Sequence, residues 1–217
     1  MVVSGGVKEN NMAVYDISME IHEEMMVYKN KAEKKPHREI ILKHDEAGIN
    51  ESKMFMDLHT GTHIDAPYHM LADGETIEKM NVSKLIRKVK VLDLSDVYDR
   101  ITDRDLQKKN ILENEFLLLK TKNSFTDEYK SDFVFLEKSG AAYLHDKGIQ
   151  GIGIDALGIE RSQPGHPTHK ILMESDCIII EGLRLKDISE GEYFMYALPL
   201  KIRGGDGAPA RVVLEDL

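Results

Sequence analysis

His59-Thr60-Gly61-Thr62-His63-Ile64-Asp65-Ala66-Pro67-Tyr68-His69 gathers three imidazoles and a carboxylate into one short segment. Histidine is the commonest protein ligand for zinc-class ions, and a nearby carboxylate completes a hydrolytic metal site. A solvated loop has no need of such a concentration. In a helix, His59 and His63 would share a face at i, i+4, but the intervening Thr60, Gly61 and Thr62 are all poor helix formers. In an extended chain, His63 and Asp65 project from one face about 6.6 Å apart, which suits two ligands of one ion, while His59 lies about 13 Å from His63. A tight turn at Gly61 leading into an extended His63 to Asp65 is the better reading. Pro67 then fixes the chain direction and delivers His69 to the rim.

Outward from this segment, short runs rich in Val, Ile, Leu and aromatic residues recur, punctuated by Gly, Asp or Asn. Strands are expected over 13–18, 39–42, 54–58, 89–94, 116–119, 151–154, 177–181, 193–198 and 211–214. Helices are fewer. Thr102 or Asp103 can cap one running to Lys109, and Ser139 can cap another over 140–147 that stops before Gly148. A third begins near Pro167, which suits a first turn, and puts His169 and Met173 on one face. Strands separated by short helices predict an α/β fold, mixed α+β, with a substantial sheet. The 217 residues contain no internal repeat or low-complexity linker, so one domain over 1–217 is expected.

The composition is globular, 41% hydrophobic and 31% charged, and a net charge of −9 with no dominant basic stripe argues against a nucleic-acid binder. The lysine-rich 29–35, interrupted by Glu33, reads as a solvated loop. Cys177, the lone cysteine, cannot form an intrachain disulfide and reads as a buried structural thiol ahead of Ile178-Ile179-Ile180. Met1-Val2-Val3-Ser4-Gly5-Gly6 lacks the basic start and apolar run of a secretory signal. No apolar stretch approaches the roughly 20 residues that span a bilayer. A cytoplasmic protein with a small-molecule substrate, and with neither nucleic acid nor membrane as partner, is expected.

Metal-assisted hydrolysis needs ligands, an activated water and a proton carrier. A zinc-class ion lowers the pKa of bound water to about 7, and an imidazole that is not a ligand can pass a proton to a leaving amine. The segment from His59 to His69 supplies three ligand candidates and one shuttle candidate. If Asp65 bridges, two ions about 3.5–4 Å apart can be held. The second ion needs ligands from elsewhere, for which His169 and Glu181 are candidates. Asp155, ending the strand-like Gly153-Ile154-Asp155, is a further candidate, with a turn or cap aspartate as its alternative. His22, His37, His44, His145 and His166 lack comparable context and read as surface or loop residues, although His166 stands close to His169. Asp73-Gly74 reads as a turn.

The His59 to His69 segment closely resembles the signature of the bacterial kynurenine formamidase family, also called the putative cyclase family of metal-dependent hydrolases. The similarity runs from Tyr15-Asp16-Ile17-Ser18 to Gly207-Ala208-Pro209-Ala210-Arg211. The resemblance implies a swivelling β/β/α domain, usually in a homodimer or higher assembly. It implies two zinc ions per chain, with manganese in some relatives. His59, His63 and Asp65 would hold the first ion, with Asp65 bridging to the second. His169 would be the second-metal histidine, Glu181 the second bridging carboxylate, and His69 the general acid/base. Two departures bear on substrate rather than on metal chemistry. The family's substrate-contacting Trp-Pro-Gly-Asp stretch is here Tyr28-Lys29-Asn30-Lys31, which keeps Tyr28 as an aromatic substrate-binding platform. The serine and aspartate that often follow 153–155 are here Gly158 and Glu160.

The expected activity is hydrolysis of a carbon–nitrogen bond in a small amide, by metal-activated hydroxide with His69 relaying the proton. An arylformamide such as N-formylkynurenine, or a cyclic amide, would be the substrate. Ester or lactone hydrolysis, or a dehydrating cyclisation, is the alternative at the same ions. A non-catalytic metal- or small-molecule-binding protein is the alternative of a different class, and it would have no use for His69. A structural zinc site would favour cysteines.

Overall fold

The apolar runs of the main sheet become strands because one or both of their faces can be covered. The computed structural model describes residues 13–217, so the segment from Met1 to Gly6 lies outside the described residues. The chain order is β1 (Val14–Asp16), β2 (His37–Leu42), α1 (His44–Ala47), β3 (Glu51–Phe55), β4 (His63–Asp65), β5 (Ile86–Asp93), β6 (Arg100–Ile101), α2 (Asp103–Leu106), β7 (Phe116–Lys120), β8 (Phe135–Leu136), α3 (Lys138–Lys147), β9 (Gly151–Ile154), α4 (Pro167–Glu174), β10 (Ile178–Glu181), β11 (Gly191–Pro199) and β12 (Gly207–Asp216).

The main sheet runs β1-β12-β11-β5-β7-β9-β10-β4, and β12 also pairs with β4, so the strands from β12 round to β4 close into a barrel. Strands β5, β7, β9 and β10 are parallel neighbours, and the other pairings are antiparallel. Closure removes the free edges that an open sheet would expose. One core is built from the strands, with Ile64, Val91, Phe116, Leu118, Ile180, Met195 and Val212. A second lies between the sheet and α2, α3 and α4, where Leu117, Leu119, Ile152 and Ile154 meet Leu106, Leu144 and Leu172. Every residue of β7 is buried, as a strand covered on both faces requires.

The expected strands are present with shifted ends. Strand β3 is displaced as a whole, occupying 51–55 rather than 54–58, because its register with β2 pairs Phe55 with His37. The chain then turns at Asp57, whose carbonyl accepts from the Thr60 N–H. Helix α3 stops at Gly148, in the left-handed region at φ 69°. Its N-cap is Glu137 rather than Ser139: the Glu137 carboxylate accepts from the Ser139 N–H at 2.8 Å. Helix α2 is shorter than 103–109, and α4 begins at Pro167 as the proline predicts. Strands β2 and β3 form a separate two-stranded hairpin in which every residue of β3 is exposed. Among the described residues, no helix is long and apolar enough to cross a membrane.

Candidate metal centre

The short strand β4 carries His63 and Asp65 on one face, both buried, with Ile64 turned into the core between them. Antiparallel pairing sets Glu181 of β10 directly opposite His63. The turn before β4 must therefore pass very close to the end of β10. Gly61 (φ 72°) and Gly182 (φ 71°) make that approach: a Cβ on Gly182 would sit 2.3 Å from the Gly61 carbonyl oxygen. The Thr62 hydroxyl fastens the crossing by donating to the Gly182 carbonyl at 2.6 Å. His169 arrives from α4, on the side of the helix that faces the sheet.

Four side chains then meet in a repeating pattern. Asp65 presents Oδ1 to His63 Nε2 at 3.4 Å and Oδ2 to His169 Nε2 at 3.6 Å. Glu181 presents Oε2 to His63 Nε2 at 3.4 Å and Oε1 to His169 Nε2 at 3.4 Å. Each carboxylate thus spans both imidazoles. These separations are long for hydrogen bonds. Donors around one tetrahedral ion with bonds near 2.1 Å are themselves about 3.4 Å apart. His63 Nε2 and Asp65 Oδ2 are buried with no hydrogen-bond partner, an arrangement that a bound cation would satisfy. His63, Asp65 and Glu181 form one ligand-capable group, and His59, Asp65 and His69 form another.

The outer nitrogens are also fixed. His63 Nδ1 donates to the Gly61 carbonyl at 3.0 Å, and His169 Nδ1 donates to Glu160 at 2.9 Å, so each ring directs Nε2 at the carboxylates. His59 lies between two acids, with Nδ1 2.9 Å from Asp65 and Nε2 2.9 Å from Asp206. The His69 ring lies over that of His59 at 4.0 Å between centroids, with its Nδ1 3.6 Å from Asp206.

Charge follows from this geometry. Burial alone would lower the pKa of His63 and His169, but the surrounding carboxylates outweigh it and hold each at about 10. Burial and Asp65 push Glu181 up, yet the two imidazoles bring it down to about 2. Asp65 lies well below the usual carboxylate range for the same reason. His69 differs, because burial lowers it, so it is a neutral proton acceptor at pH 7.

The sequence-derived candidates His59, His63, Asp65, His69, His169 and Glu181 thus come together. A cavity of about 480 Å³ opens over them, lined by His59, His69, His169 and Glu181 and also by Tyr28. Tyr28 stands edge-on to Tyr129 and Phe133, and Gly158 leaves room beside its ring. Asp155 is not part of this cavity. It spends its carboxylate on Thr121, Asn123 and Ser124, the turn-holding alternative. His166 is exposed, as expected, but its Nδ1 lies 2.8 Å from Glu160. The stretch 29–35 is more than a solvated loop, since Lys29, Lys31 and Lys34 line the cavity. Two residues carried no functional signal in the sequence. Asp206 stands among glycines and reads as a turn, and Glu160 was visible only as a departure from a family pattern.

Comparison with known proteins agrees with this architecture. The family model described as Putative cyclase matches residues 15–161. Kynurenine formamidase from Bacillus anthracis is 30% identical over 182 residues, covering 82% of this chain and 87% of that protein. Kynurenine formamidase from Salinibacter ruber is 30% identical, covering 79% and 82%. A solved structure described as a predicted metal-dependent hydrolase from Bacillus stearothermophilus is 53% identical, with a TM-score of 0.88 over 95% of this chain and 99% of that one. Isatin hydrolase A from Labrenzia aggregata, at 22% identity, shares the fold with a TM-score of 0.81 over 94% of each chain.

Proposed function

The chain belongs to the Putative cyclase family, and from that premise we propose that it is a metal-dependent amidohydrolase that cleaves the carbon–nitrogen bond of a small amide. An arylformamide such as N-formylkynurenine is the favoured substrate, after the curated relatives, and a cyclic amide is the next. The observation that carries this reading is the pair of carboxylates, Asp65 and Glu181, each shared between His63 and His169. His59, His63 and Asp65 would hold one ion, and Asp65, His169 and Glu181 the other. Zinc fits this nitrogen and oxygen donor set, and manganese fits it as well. Bound there, the ions supply Lewis acidity toward the carbonyl and a more acidic water.

The chain's own residues do the rest. Glu160 and the Gly61 carbonyl keep the two imidazoles aimed. Half-buried His69, neutral at pH 7, takes a proton from the attacking water and gives it to the departing nitrogen. One C–O bond forms, the C–N bond breaks, and an acid and an amine leave. Tyr28 offers its ring as a platform for the substrate. We take residues 1–217 as one catalytic domain working in the cytoplasm, where a lone buried cysteine is at home. We also propose a homodimer. The β2–β3 hairpin exposes Ile40, Met54 and Phe55, and a two-stranded hairpin is marginal without cover.

The deciding experiment is elemental analysis of purified protein together with hydrolysis of N-formylkynurenine before and after chelation and metal return. Two ions per chain with chelator-sensitive turnover is the expected result. Failure to take up zinc or manganese would overturn the reading. Two ions without turnover would remove this substrate and leave cyclic amides and lactones.

A further inference from the structure

Glu160 has one carboxylate oxygen spent on the fold and one that is not. Oε2 accepts from the Thr168 N–H at 3.0 Å and from the Gln163 amide at 3.1 Å. Oε1 lies between two imidazoles, His169 Nδ1 at 2.9 Å and His166 Nδ1 at 2.8 Å. His169 needs this contact to aim its other nitrogen at the cluster. His166 has no such reason to be there, and stability does not supply one. It holds the N-cap position of α4 without making a capping bond, and its backbone is left-handed at φ 53°, a conformation that costs a non-glycine residue stability. The first turn is capped by Glu160 instead, through the Thr168 N–H. The His166 side chain is 60% exposed and lines the cavity, while that of Glu160 is 3% exposed. Glu160, His166 and His169 each offer a donor atom, all within 4.8 Å of one another, a ligand-capable group beside the two at the cluster.

We propose that Glu160 Oε1 and His166 Nδ1 form a binding site for a third divalent cation, zinc above all, and that an ion held there inhibits turnover. The inference rests on the amidohydrolase reading and adds to it the regulation of the same site. Imidazole and carboxylate are a donor pair that zinc accepts. An ion replacing the proton between them, with bonds near 2.1 Å, needs the donors about 3.4 Å apart, so His166 must retreat by about half an ångström. An exposed ring can do so, and Gly165 before it stands in open space. The buried carboxylate attracts a cation more strongly than one in water would. On the surface, His37 Nδ1 also lies 2.8 Å from a carboxylate, that of Glu23, but those side chains are 67% and 55% exposed. Two protein ligands make the third site weaker than the cluster, so it fills only when zinc is in excess. The His169 Nδ1–H donates to the same oxygen that the ion would take. A cation there repels that proton and weakens the bond that aims His169, which is how binding at the cavity mouth reaches the cluster.

The test equilibrates full-length protein with graded zinc, counts the bound ions by elemental analysis and follows hydrolysis of N-formylkynurenine on the same samples. His166→Asn removes the imidazole and tolerates the left-handed backbone, and His166→Gly is the second variant should the first fold poorly. His37→Ala is the control. The wild type and the control should each take up one weakly held ion more than the His166 variants. Over the same zinc range their turnover should fall about fivefold or more, measured against each protein's own rate at low zinc, while the His166 variants stay flat. An equal ion count in wild type and both His166 variants at every zinc concentration overturns the site. Loss of the extra ion in His37→Ala instead moves it to the surface pair and overturns the site as well. An extra ion at His166 that leaves turnover unchanged overturns the inhibitory role. If no substrate is hydrolysed, the amidohydrolase reading fails by itself, and the difference of one ion between wild type and His166→Asn still decides whether the third site exists.

Discussion

The two sides of the active-site cavity are built on opposite principles. His63, Asp65 and Glu181 sit on paired barrel strands, His169 on a packed helix, and each is fixed by register, burial and a second hydrogen bond. The facing wall, from Tyr28 to Lys34, consists of short 3-10 turns with long exposed side chains. Metal ligands must be placed to a few tenths of an ångström, which rigid elements provide. A wall that only chooses among substrates can be rebuilt on loops without disturbing the chemistry. If this division is real, changes on the cluster side should abolish turnover, and changes on the wall should redistribute substrate preference.

The largest effect is expected from Asp65→Asn. Among the described residues its carboxylate is the one group within reach of His59, His63 and His169 together. Losing its charge should cost both ions and reduce turnover on the order of ten-thousandfold. Metal analysis and kinetics on the same sample check this; a variant that keeps two ions and most activity would end the bridging role. His69→Ala should behave differently. It should retain the ions and lose about a thousandfold in kcat, the usual scale for a positioned acid/base group. Full metal content with near-normal kcat would remove His69 from the mechanism, while loss of metal would make it a ligand.

Next in size is the pH dependence of metal uptake. Without ions, His63 and His169 hold protons up to about pH 10, because Asp65 and Glu181 stabilise their charged forms. Ligation requires the neutral ring, so each ion must displace a proton. The sign follows: affinity rises with pH between 6 and 8, by about tenfold per unit for each displaced proton, and uptake acidifies a weakly buffered solution. Competition with a chelator dye at several pH values measures the slope. An affinity flat across that range would mean that the two carboxylates do not hold the imidazoles charged.

How much of this could be read in advance divides along the same line. Period-two alternation and the glycine between Thr60 and Thr62 made His63, Asp65 and the turn at Gly61 legible, because their geometry is local. Glu181 was legible as a ligand candidate, but its bridging role came only with the resemblance, since strand pairing joins residues more than a hundred positions apart. Asp206 left no mark, because an acid among glycines looks like any turn. The lysines at 29–35 were read as a solvated loop and are largely exposed, but nothing local says that this loop also lines a cavity. The β3 boundary slipped for a related reason, since its end is set by pairing with β2 rather than by its own composition.

The smallest predicted change tests the independence of the two sides most directly. Gly158 lies under Tyr28, and a methyl group there would sit 3.4 Å from the Tyr28 Cε2 carbon and 3.5 Å from the Glu160 carbonyl oxygen. Neither contact is a clash, so Gly158→Ala should fold normally and displace the ring by only a few tenths of an ångström. The proposed metal ligands, fixed on β4, β10 and α4, should not feel it. We expect KM to rise about threefold with kcat within about twofold, a loss of binding shared equally by the ground state and the transition state. A tenfold fall in kcat with the ions still bound would show that the Tyr28 platform and the cluster move together. The wall would then be part of the catalytic machinery rather than its selector.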